Sequence, residues 1–377
     1  MDRNVVHMDL DSFFVSVECL LNTKLIGKPL IIGGTSDRGV VSSCSYEARR
    51  FGVHSAMPVR MAKKLCPDAI VLRGDYENYT KFSAMVTEIV KENVPVYEKA
   101  SIDEFYADLS GMERFHNSYL LASELRRKII RETGLPISFG LSQNKTVSKV
   151  ATGEAKPNGQ RKVDHGSEKP FLAPLSIKKI PMVGEKTYGL LRSMGVERVQ
   201  TLQQMPVEMM QSALGQSGVM IWERANGIDD SPVIPYSERK SISTECTFEE
   251  DTIDVDYLRR KLVSMSEELA FSLRKEQKLS ACLTLKIRYS NFDTHTKQAM
   301  IPYTALDDHL IAKAKELFEK LYERRMLVRL IGLKVSHLVH GQQQINLFED
   351  TQEKIRLYQA MDKINKRYGA LTIRRSC

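Results

Sequence analysis

Two carboxylates stand side by side in the short apolar run "SIDEFYADLSG" (101–111), as Asp103 and Glu104, and no lysine or arginine lies within that run. Crowded like charges are costly, and more so where burial lowers the effective dielectric. A second acidic pair, Asp9 and Asp11, lies in another apolar segment, "NVVHMDLD" (4–11). Acids placed in this way indicate a cation site, a shared proton or a chance arrangement without a function.

Both acidic segments have the composition of short β-strands, so Asp9, Asp103 and Glu104 could gather if the two strands are neighbours. Neighbouring residues of a strand point to opposite faces, so Asp103 and Glu104 need a bend or a strand end to share a site. Carboxylate oxygens suit Mg²⁺, and a pair of such ions serves in-line phosphoryl displacement. Two alternatives stay open from the pattern: the acids are solvated surface, and Asp11 caps the helix that follows it.

The bulk composition favours a globular protein with a polyanionic partner. The chain has 377 residues, of which 42% are hydrophobic and 27% charged, with a net charge of +8. Six scattered cysteines and a charged N-terminus without an apolar core predict free thiols and a cytoplasmic location. No stretch approaches about 18 apolar residues, which predicts no membrane association through a span.

The elements that would position these acids can be outlined from periodicity. An α+β core is expected to about residue 165, with "NVVHMDLD" as a strand, "SFFVSVECLLN" as a helix and "YEKASIDEFYADLSG" (97–111) as one strand. Small helices are expected over 175–226. The last unit is predicted as a compact α/β module of two helices, around 254–278 and 305–323, alternating with two strands.

Four motifs occur in the order and spacing of the Y-family DNA polymerases, the translesion class, and most resemble its DNA polymerase IV branch. They are "MDLDSFF", "YEARRFGV", "SIDEFYADLSG" and "LSQNKTVSKVATGEAKPNG", and the resemblance covers about residues 1–341. It implies an α+β multidomain, right-hand polymerase with a palm, small fingers, a helical thumb and a C-terminal α/β little finger. The implied domains are palm and fingers at 1–165, with fingers inserted at about 20–76, a thumb with a helix-hairpin-helix at 166–235, a linker at 236–242, the little finger at 243–341 and a tail at 342–377.

The resemblance also implies an activity and its cofactor. The activity is template-directed, low-fidelity DNA synthesis past lesions, in which a dNMP is added to a primer 3′-hydroxyl without a proofreading exonuclease. Asp9, Asp103 and Glu104 would be the catalytic metal ligands, helped by the backbone carbonyl of Leu10. They would hold two Mg²⁺ ions per active site, with Mn²⁺ as an alternative. The role of Asp11 is left open.

Nucleotide selection and binding are implied at five further positions. Phe14 would be the steric gate, a rigid aromatic that clashes with a ribose 2′-hydroxyl, whereas Phe13 better fits a core position. The residues implied for the incoming triphosphate are Ser43, Tyr46, Arg49 and Lys156. Arginine suits phosphate because its planar fork binds two oxygens.

Contacts with DNA and with a sliding clamp are implied along the rest of the chain. The basic residues predicted to meet DNA are Lys145, Lys149, Lys286, Arg288, Arg329 and Lys334. In the helix-hairpin-helix, Met182 stands where the family often has a second glycine. Gln344, Leu347 and Phe348 of "QINLF" resemble a clamp-binding peptide, although local packing on the little finger is an alternative. A monomer is expected, and residues 351–377 are predicted to form a basic helix.

Two other functions remain open at this point. A nucleotide cyclase or a reverse transcriptase would also join strand carboxylates to nucleotide phosphates. A catalytically silent DNA-binding scaffold would share the basic residues and the clamp motif. Use of ribonucleotides or a cyclic product would indicate the first alternative, and Mg²⁺-independent DNA binding without primer extension would indicate the second.

Overall fold

The computed structural model of the chain describes residues 3–36, 38–112, 117–323, 326–341, 351–369 and 372–373. The chain divides into two units, Met1–Ser237 and Glu238–Cys377, and each of them combines helices with β-sheet. Within the described ranges, no helix is both long enough and apolar enough to cross a membrane.

The first unit contains two sheets and a helical segment. In chain order its elements are β1 (Val5–Leu10), α1 (Phe13–Leu21), β2 (Leu30–Gly33), β3 (Val41–Cys44), α2 (Tyr46–Arg49), α3 (Val59–Leu65), β4 (Ile70–Leu72), α4 (Tyr76–Asn93), β5 (Val96–Lys99), β6 (Glu104–Asp108), α5 (Ser118–Thr133), β7 (Ile137–Ser142), α6 (Lys145–Ala155), β8 (Gln160–Lys162), α7 (Glu168–Leu172), α8 (Glu185–Ser193), α9 (Val199–Gln204), α10 (Val207–Leu214) and α11 (Gln216–Ala225). The central sheet has the strand order β5-β6-β1-β7-β8, and a smaller sheet has the order β3-β2-β4.

Strand β1 lies in the middle of the central sheet, antiparallel to β6 and β7. Both of its faces are covered, which explains why its sequence is an almost continuous apolar run. Val6, Met8 and Leu10 pack into a core formed with α1, α4 and α5. Because side chains alternate along a strand, His7 and Asp9 face the other side, toward α6 and the turn after it.

The expected single strand over 97–111 is wrong, because the structure has two antiparallel strands, β5 and β6, joined by a tight turn. The amides of Ala100 and Ser101 both donate to the carbonyl of Glu104, at 3.0 and 3.3 Å. The Ser101 hydroxyl accepts from the amides of Asp103 and Glu104, at 3.3 and 3.1 Å. A serine that satisfies two backbone donors stabilises a turn at the expense of the extended ladder.

The helical segment after β8 has its own core, which includes Val150 and Ala151 of α6. In the predicted helix-hairpin-helix (180–196) only the second half is an α-helix, α8, and the element before it is a 3₁₀ turn, Ile177–Lys179. In the connecting loop Met182 has a φ of +78°, the left-handed region that favours glycine.

The second unit is a four-stranded sheet with two helices packed on it. Its elements are β9 (Ser241–Thr252), α12 (Val255–Lys275), β10 (Lys278–Tyr289), β11 (Thr294–Thr304), α13 (Asp307–Leu321), β12 (Val328–His340) and α14 (Thr351–Tyr368). The strand order is β11-β10-β12-β9. The sequence missed the two edge strands, β9 and β11, because most of their residues are exposed or half-buried and show no apolar period. Strand β9 begins at Ser241, so the last two residues of the predicted linker of 236–242 are in a strand.

Candidate active site

The register of β1 and β6 brings the two acidic segments together. Asp9 lies directly opposite Glu104 in the antiparallel ladder. Beyond the end of that ladder, the Leu10 amide donates to the carbonyl of Asp103 at 3.1 Å. Asp9 therefore lies beside Asp103 and Glu104, about 95 residues further along the chain, at one end of the central sheet.

The turn between β5 and β6 removes the geometric objection to a shared site for Asp103 and Glu104. Glu104 is the first residue of β6, and Asp103 lies before it in the turn, where side chains do not alternate. The Ser101 hydroxyl donates to Oδ1 of Asp103 at 2.5 Å and orients that carboxylate. The expected strand end exists, although the sequence alone did not locate it.

Two lysines, from α6 and its C-terminal turn, pair with two of these three carboxylates. Lys149 Nζ lies 2.7 Å from Oε2 of Glu104, and Lys156 Nζ lies 2.5 Å from Oδ1 of Asp9. Burial raises the pKa of Asp9 to about 6, opposed by Lys156 and reinforced by the nearby Asp103 and Glu104.

Glu104 has the opposite shift. Its contact with His7, followed by that with Lys149, lowers the pKa of Glu104 to about 2 in spite of its partial burial. The imidazole of His7 is fully buried, and this burial lowers the pKa of His7 to about 4. At neutral pH His7 is therefore uncharged, with Nε2 3.9 Å from Oε2 of Glu104 and Nδ1 2.8 Å from the Thr152 hydroxyl.

The side chains of Asp9, Asp103 and Glu104 do not converge on one point in the way that the ligands of a bound metal would. Among the residues that the structure describes, no three His, Cys, Asp or Glu side chains form a group that could hold a metal. The donors are nevertheless the hard oxygens that Mg²⁺ prefers. Burial is the main cause of the raised pKa of Asp9, and the nearby Asp103 and Glu104 add to it, so a bound cation would offset their like charge.

Phe14 lies on α1, and Tyr46 and Arg49 lie on α2, while Ser43 is in β3 and Lys156 follows α6. The Phe14 ring stacks on Tyr79, with centroids 4.2 Å apart and planes inclined by 11°, while Phe13 is buried in the core at 2% exposure. The Tyr46 hydroxyl donates to Oδ1 of Asp11 at 3.4 Å, and burial raises the pKa of Tyr46. The Arg49 guanidinium lies over the Tyr46 ring at 5.2 Å.

Comparisons with known proteins identify the family of the chain. The model of the impB/mucB/samB family matches residues 8–153, and the model of that family's C-terminal domain matches 239–347. A DNA polymerase IV from Dehalococcoides mccartyi strain CBDB1 is 39% identical over 371 residues, covering 97% of this chain and 95% of the relative. The DNA polymerase IV of Methanoculleus marisnigri is 38% identical over 343 residues, covering 90% and 95%. A solved Y-family DNA polymerase chimera superposes with a TM-score of 0.81 at 26% identity, covering 90% of this chain and all of the chimera.

The chain belongs to the Y-family of DNA polymerases. This membership confirms the resemblance inferred from the four motifs, and it makes the chain a DNA-directed DNA polymerase of the translesion class. The α+β multidomain fold implied by the resemblance is confirmed as well.

The basic residues predicted to bind DNA in the first unit of this Y-family polymerase are engaged with acids. Lys145 Nζ lies 2.7 Å from Oε2 of Glu98, as Lys149 does from Glu104. To contact a DNA phosphate, either lysine would have to leave the carboxylate with which it is paired. In the structure, Lys145 thus pairs with strand β5 and Lys149 with strand β6, and their predicted contact with DNA stays a prediction.

In the second unit the predicted basic residues lie on β10 and β12. Lys286 pairs with Glu245 at 2.8 Å, the Arg288 Nε donates to the Thr294 hydroxyl, and Lys334 is exposed. The Arg329 guanidinium stacks over Phe292 at 4.6 Å. The predicted clamp motif, Gln344, Leu347 and Phe348, lies outside the described residues.

Sequence reasoning missed several residues that shape this site. Asp11 was considered as a cap of α1, but the N-cap residue is Ser12, without a side-chain cap bond. The actual partners of Asp11, Ser138 and Asn158, were not singled out. The "AKPNG" turn was a usable signal, because asparagine followed by glycine commonly marks backbone in the left-handed region. Asn158 has a φ of +49°.

Proposed function

We propose that this Y-family polymerase transfers a dNMP to a primer 3′-hydroxyl at the end of the central sheet, with Asp9, Asp103 and Glu104 as the ligands of Mg²⁺. The observation that carries the proposal is the register in which Asp9 faces Glu104 while the Leu10 amide binds the Asp103 carbonyl. Low fidelity and the absence of a proofreading exonuclease are part of the proposal.

Bound Mg²⁺ would supply electrostatic stabilisation of charge on the phosphoryl oxygens. The chain's own residues would bind and orient the substrates. Lys156, whose ammonium lies within the acidic group, would take a triphosphate oxygen as its counter-charge in exchange for Asp9. Arg49 and Tyr46 would bind the same triphosphate. The Phe14 ring, held by its stack on Tyr79, would exclude a ribose 2′-hydroxyl.

The proposed partners are primer–template DNA, a dNTP and a sliding clamp. Gln344, Leu347 and Phe348 would provide the clamp contact, and Lys286, Arg288, Arg329 and Lys334 would contact phosphates. We propose that the protein acts as a monomer in the cytoplasm.

The test is extension of a labelled primer on a DNA template with Mg²⁺ and dNTPs. Wild type should extend the primer, and Asp103→Ala should abolish extension while leaving DNA affinity intact. Asp108→Ala is the matched control, because this acid lies at the other end of β6 and accepts from Ser110. Equal loss in both variants, or full activity of Asp103→Ala, would remove the proposed role of Asp103. DNA binding without any extension by wild type would favour a silent scaffold.

A further inference from the structure

Asp11 is a buried carboxylate to which neither the metal site nor the substrate assigns a role. Its side chain is 2% exposed, and it follows β1 directly, where its amide donates to the Pro136 carbonyl at 2.9 Å. Three donors from separate parts of the chain converge on the carboxylate. They are the Asn158 amide at 2.6 Å, the Ser138 hydroxyl at 2.9 Å and the Tyr46 hydroxyl at 3.4 Å.

These contacts close a ring around the turn that follows α6. The Ser138 hydroxyl donates to Asp11 and accepts from the Gly159 amide at 3.1 Å. From the other side, Arg126 Nη2 donates to the Asn158 carbonyl at 2.6 Å. The turn is tightly packed against the end of α6, because a Cβ built at Gly159 would lie 2.0 Å from the Ala155 carbonyl oxygen. The backbone at 158–159 is thus fixed by Asp11, Ser138 and Arg126 together.

Lys156 and Tyr46 are the two residues that this ring holds in place. Lys156 lies two positions before Asn158, and its ammonium is 3.6 Å from Oδ1 of Asp11 as well as in contact with Asp9. Tyr46 opens α2 in a different part of the fold and reaches the same carboxylate. One buried acid therefore links the two segments that carry proposed triphosphate ligands.

We propose that Asp11 is a positioning residue for nucleotide binding, which sets the Lys156 turn and Tyr46 relative to each other and does not bind the metal. The inference rests on the proposed function of Lys156 and Tyr46. A carboxylate suits this place because it only accepts hydrogen bonds, and all three partners are donors. An asparagine would direct an amide NH₂ at one of those donors, so the isosteric Asp11→Asn change disrupts the ring with no loss of volume.

The test measures the KM for dNTP, kcat and primer–template Kd for Asp11→Asn, Lys156→Ala and the double variant. We expect Asp11→Asn to raise the KM for dNTP about tenfold, the size expected for lost charge-assisted hydrogen bonds, with unchanged DNA Kd. In the double variant the KM should rise by clearly less than the product of the two single effects, because Asp11 acts partly through Lys156 and residues of one network are not additive. Asp108→Asn, the matched palm carboxylate, should match wild type.

Two results would overturn the inference: full additivity of the two changes, or a KM for dNTP unaltered by Asp11→Asn. If Asp11→Asn does not fold, Ser138→Ala decides in its place, with an expected rise in the KM of about threefold and unaltered DNA Kd. An unchanged KM in that variant would also overturn it. Failure of the proposed function is distinguishable, because wild type would then bind DNA without extending a primer.

Discussion

The ammonium of Lys149 lies 2.7 Å from Oε2 of Glu104, so a lysine predicted to bind DNA is the partner of a predicted metal ligand. Lys149 is on α6 and Glu104 begins β6, and the pair joins the helix to the acidic end of the sheet. A lysine that neutralises a half-buried carboxylate has less to gain from an exposed phosphate. The geometry favours a role for Lys149 in the acidic group.

We therefore expect Lys149→Ala to leave the salt dependence of DNA binding unchanged. Neutralising one phosphate contributes about 0.9 to the slope of log K against log salt concentration. The exposed Lys334 of β12 is the comparison, since Lys334→Ala should lower that slope by about 0.9. Titrations of labelled primer–template at several salt concentrations provide both slopes. A reduced slope for Lys149→Ala would return this residue to the DNA contacts.

Substitutions of the adjacent aromatics Phe13 and Phe14 should affect different properties, namely protein stability and the selection of the nucleotide sugar. Phe14→Ala removes the ring stacked on Tyr79 and should increase incorporation of ribonucleotides relative to deoxynucleotides by at least tenfold. Phe13→Ala empties a core position of 2% exposure and should lower the free energy of unfolding by about 3–5 kcal/mol. Competition between rNTP and dNTP, with urea denaturation of both variants, measures the two effects. Equal sugar discrimination in wild type and Phe14→Ala would contradict the gate.

Two glycines near α6 should respond oppositely to alanine. A Cβ at Gly140 of β7 would lie 2.3 Å from the Ser148 carbonyl oxygen, so Gly140→Ala must push α6 away from the sheet. We expect a loss of about 1–3 kcal/mol in stability and a loss of activity, because α6 carries Lys149 and leads into the Lys156 turn. Gly153, within α6, has open space around its Cβ, and Gly153→Ala should stabilise by about 0.5–1 kcal/mol. Thermal unfolding distinguishes them, and destabilisation by both would refute the packing argument.

Met182 lies in a backbone conformation that glycine adopts more easily. Its φ of +78° is unfavourable for any side chain, at a cost of about 1–2 kcal/mol, part of which the greater chain entropy of glycine cancels. Met182→Gly should therefore raise the free energy of unfolding by up to about 1 kcal/mol. Met209→Gly, at an exposed position within α10, is the matched control and should lower it by about 1 kcal/mol. The same sign for both changes in a denaturation experiment would disprove the strain at Met182.

Strand β1, helix α1 and the acidic residues were predictable because their signals are local, whereas the hairpin of β5 and β6 was expected as one strand. The apolar run of β1 and the motifs around Asp9, Phe14 and Tyr46 mark a buried strand, a helix and a site. The strands β9 and β11 were not predictable, because edge strands with exposed faces lack an apolar period. The pairing of Asp11 with Ser138 joins residues 127 positions apart, and spacing along the chain carries no trace of such a contact. The ion pair of Lys149 and Glu104 could not be predicted either, because it also joins residues that are far apart in the sequence.

The C-terminal helix α14 is held on the second unit by Arg274, at the end of α12. The guanidinium donates to Asp362 of α14 at 2.8 and 2.9 Å, to Asp307 of α13 at 2.6 Å, and stacks over Tyr358 at 5.0 Å. The Arg274 side chain is only 18% exposed. Its removal would take one charged partner from both Asp307 and Asp362, at a site with little access to water.

Arg274→Ala should consequently release α14 and destabilise the second unit by about 3 kcal/mol. Amide hydrogen exchange in 351–368 should accelerate strongly, whereas exchange in the first unit should stay the same. Arg259→Ala on the same helix is the control, because Arg259 pairs with Glu319 at the surface, where the ion pair is screened by solvent and its loss should change little. Slow exchange of 351–368 in Arg274→Ala would show that contacts other than this guanidinium hold the helix.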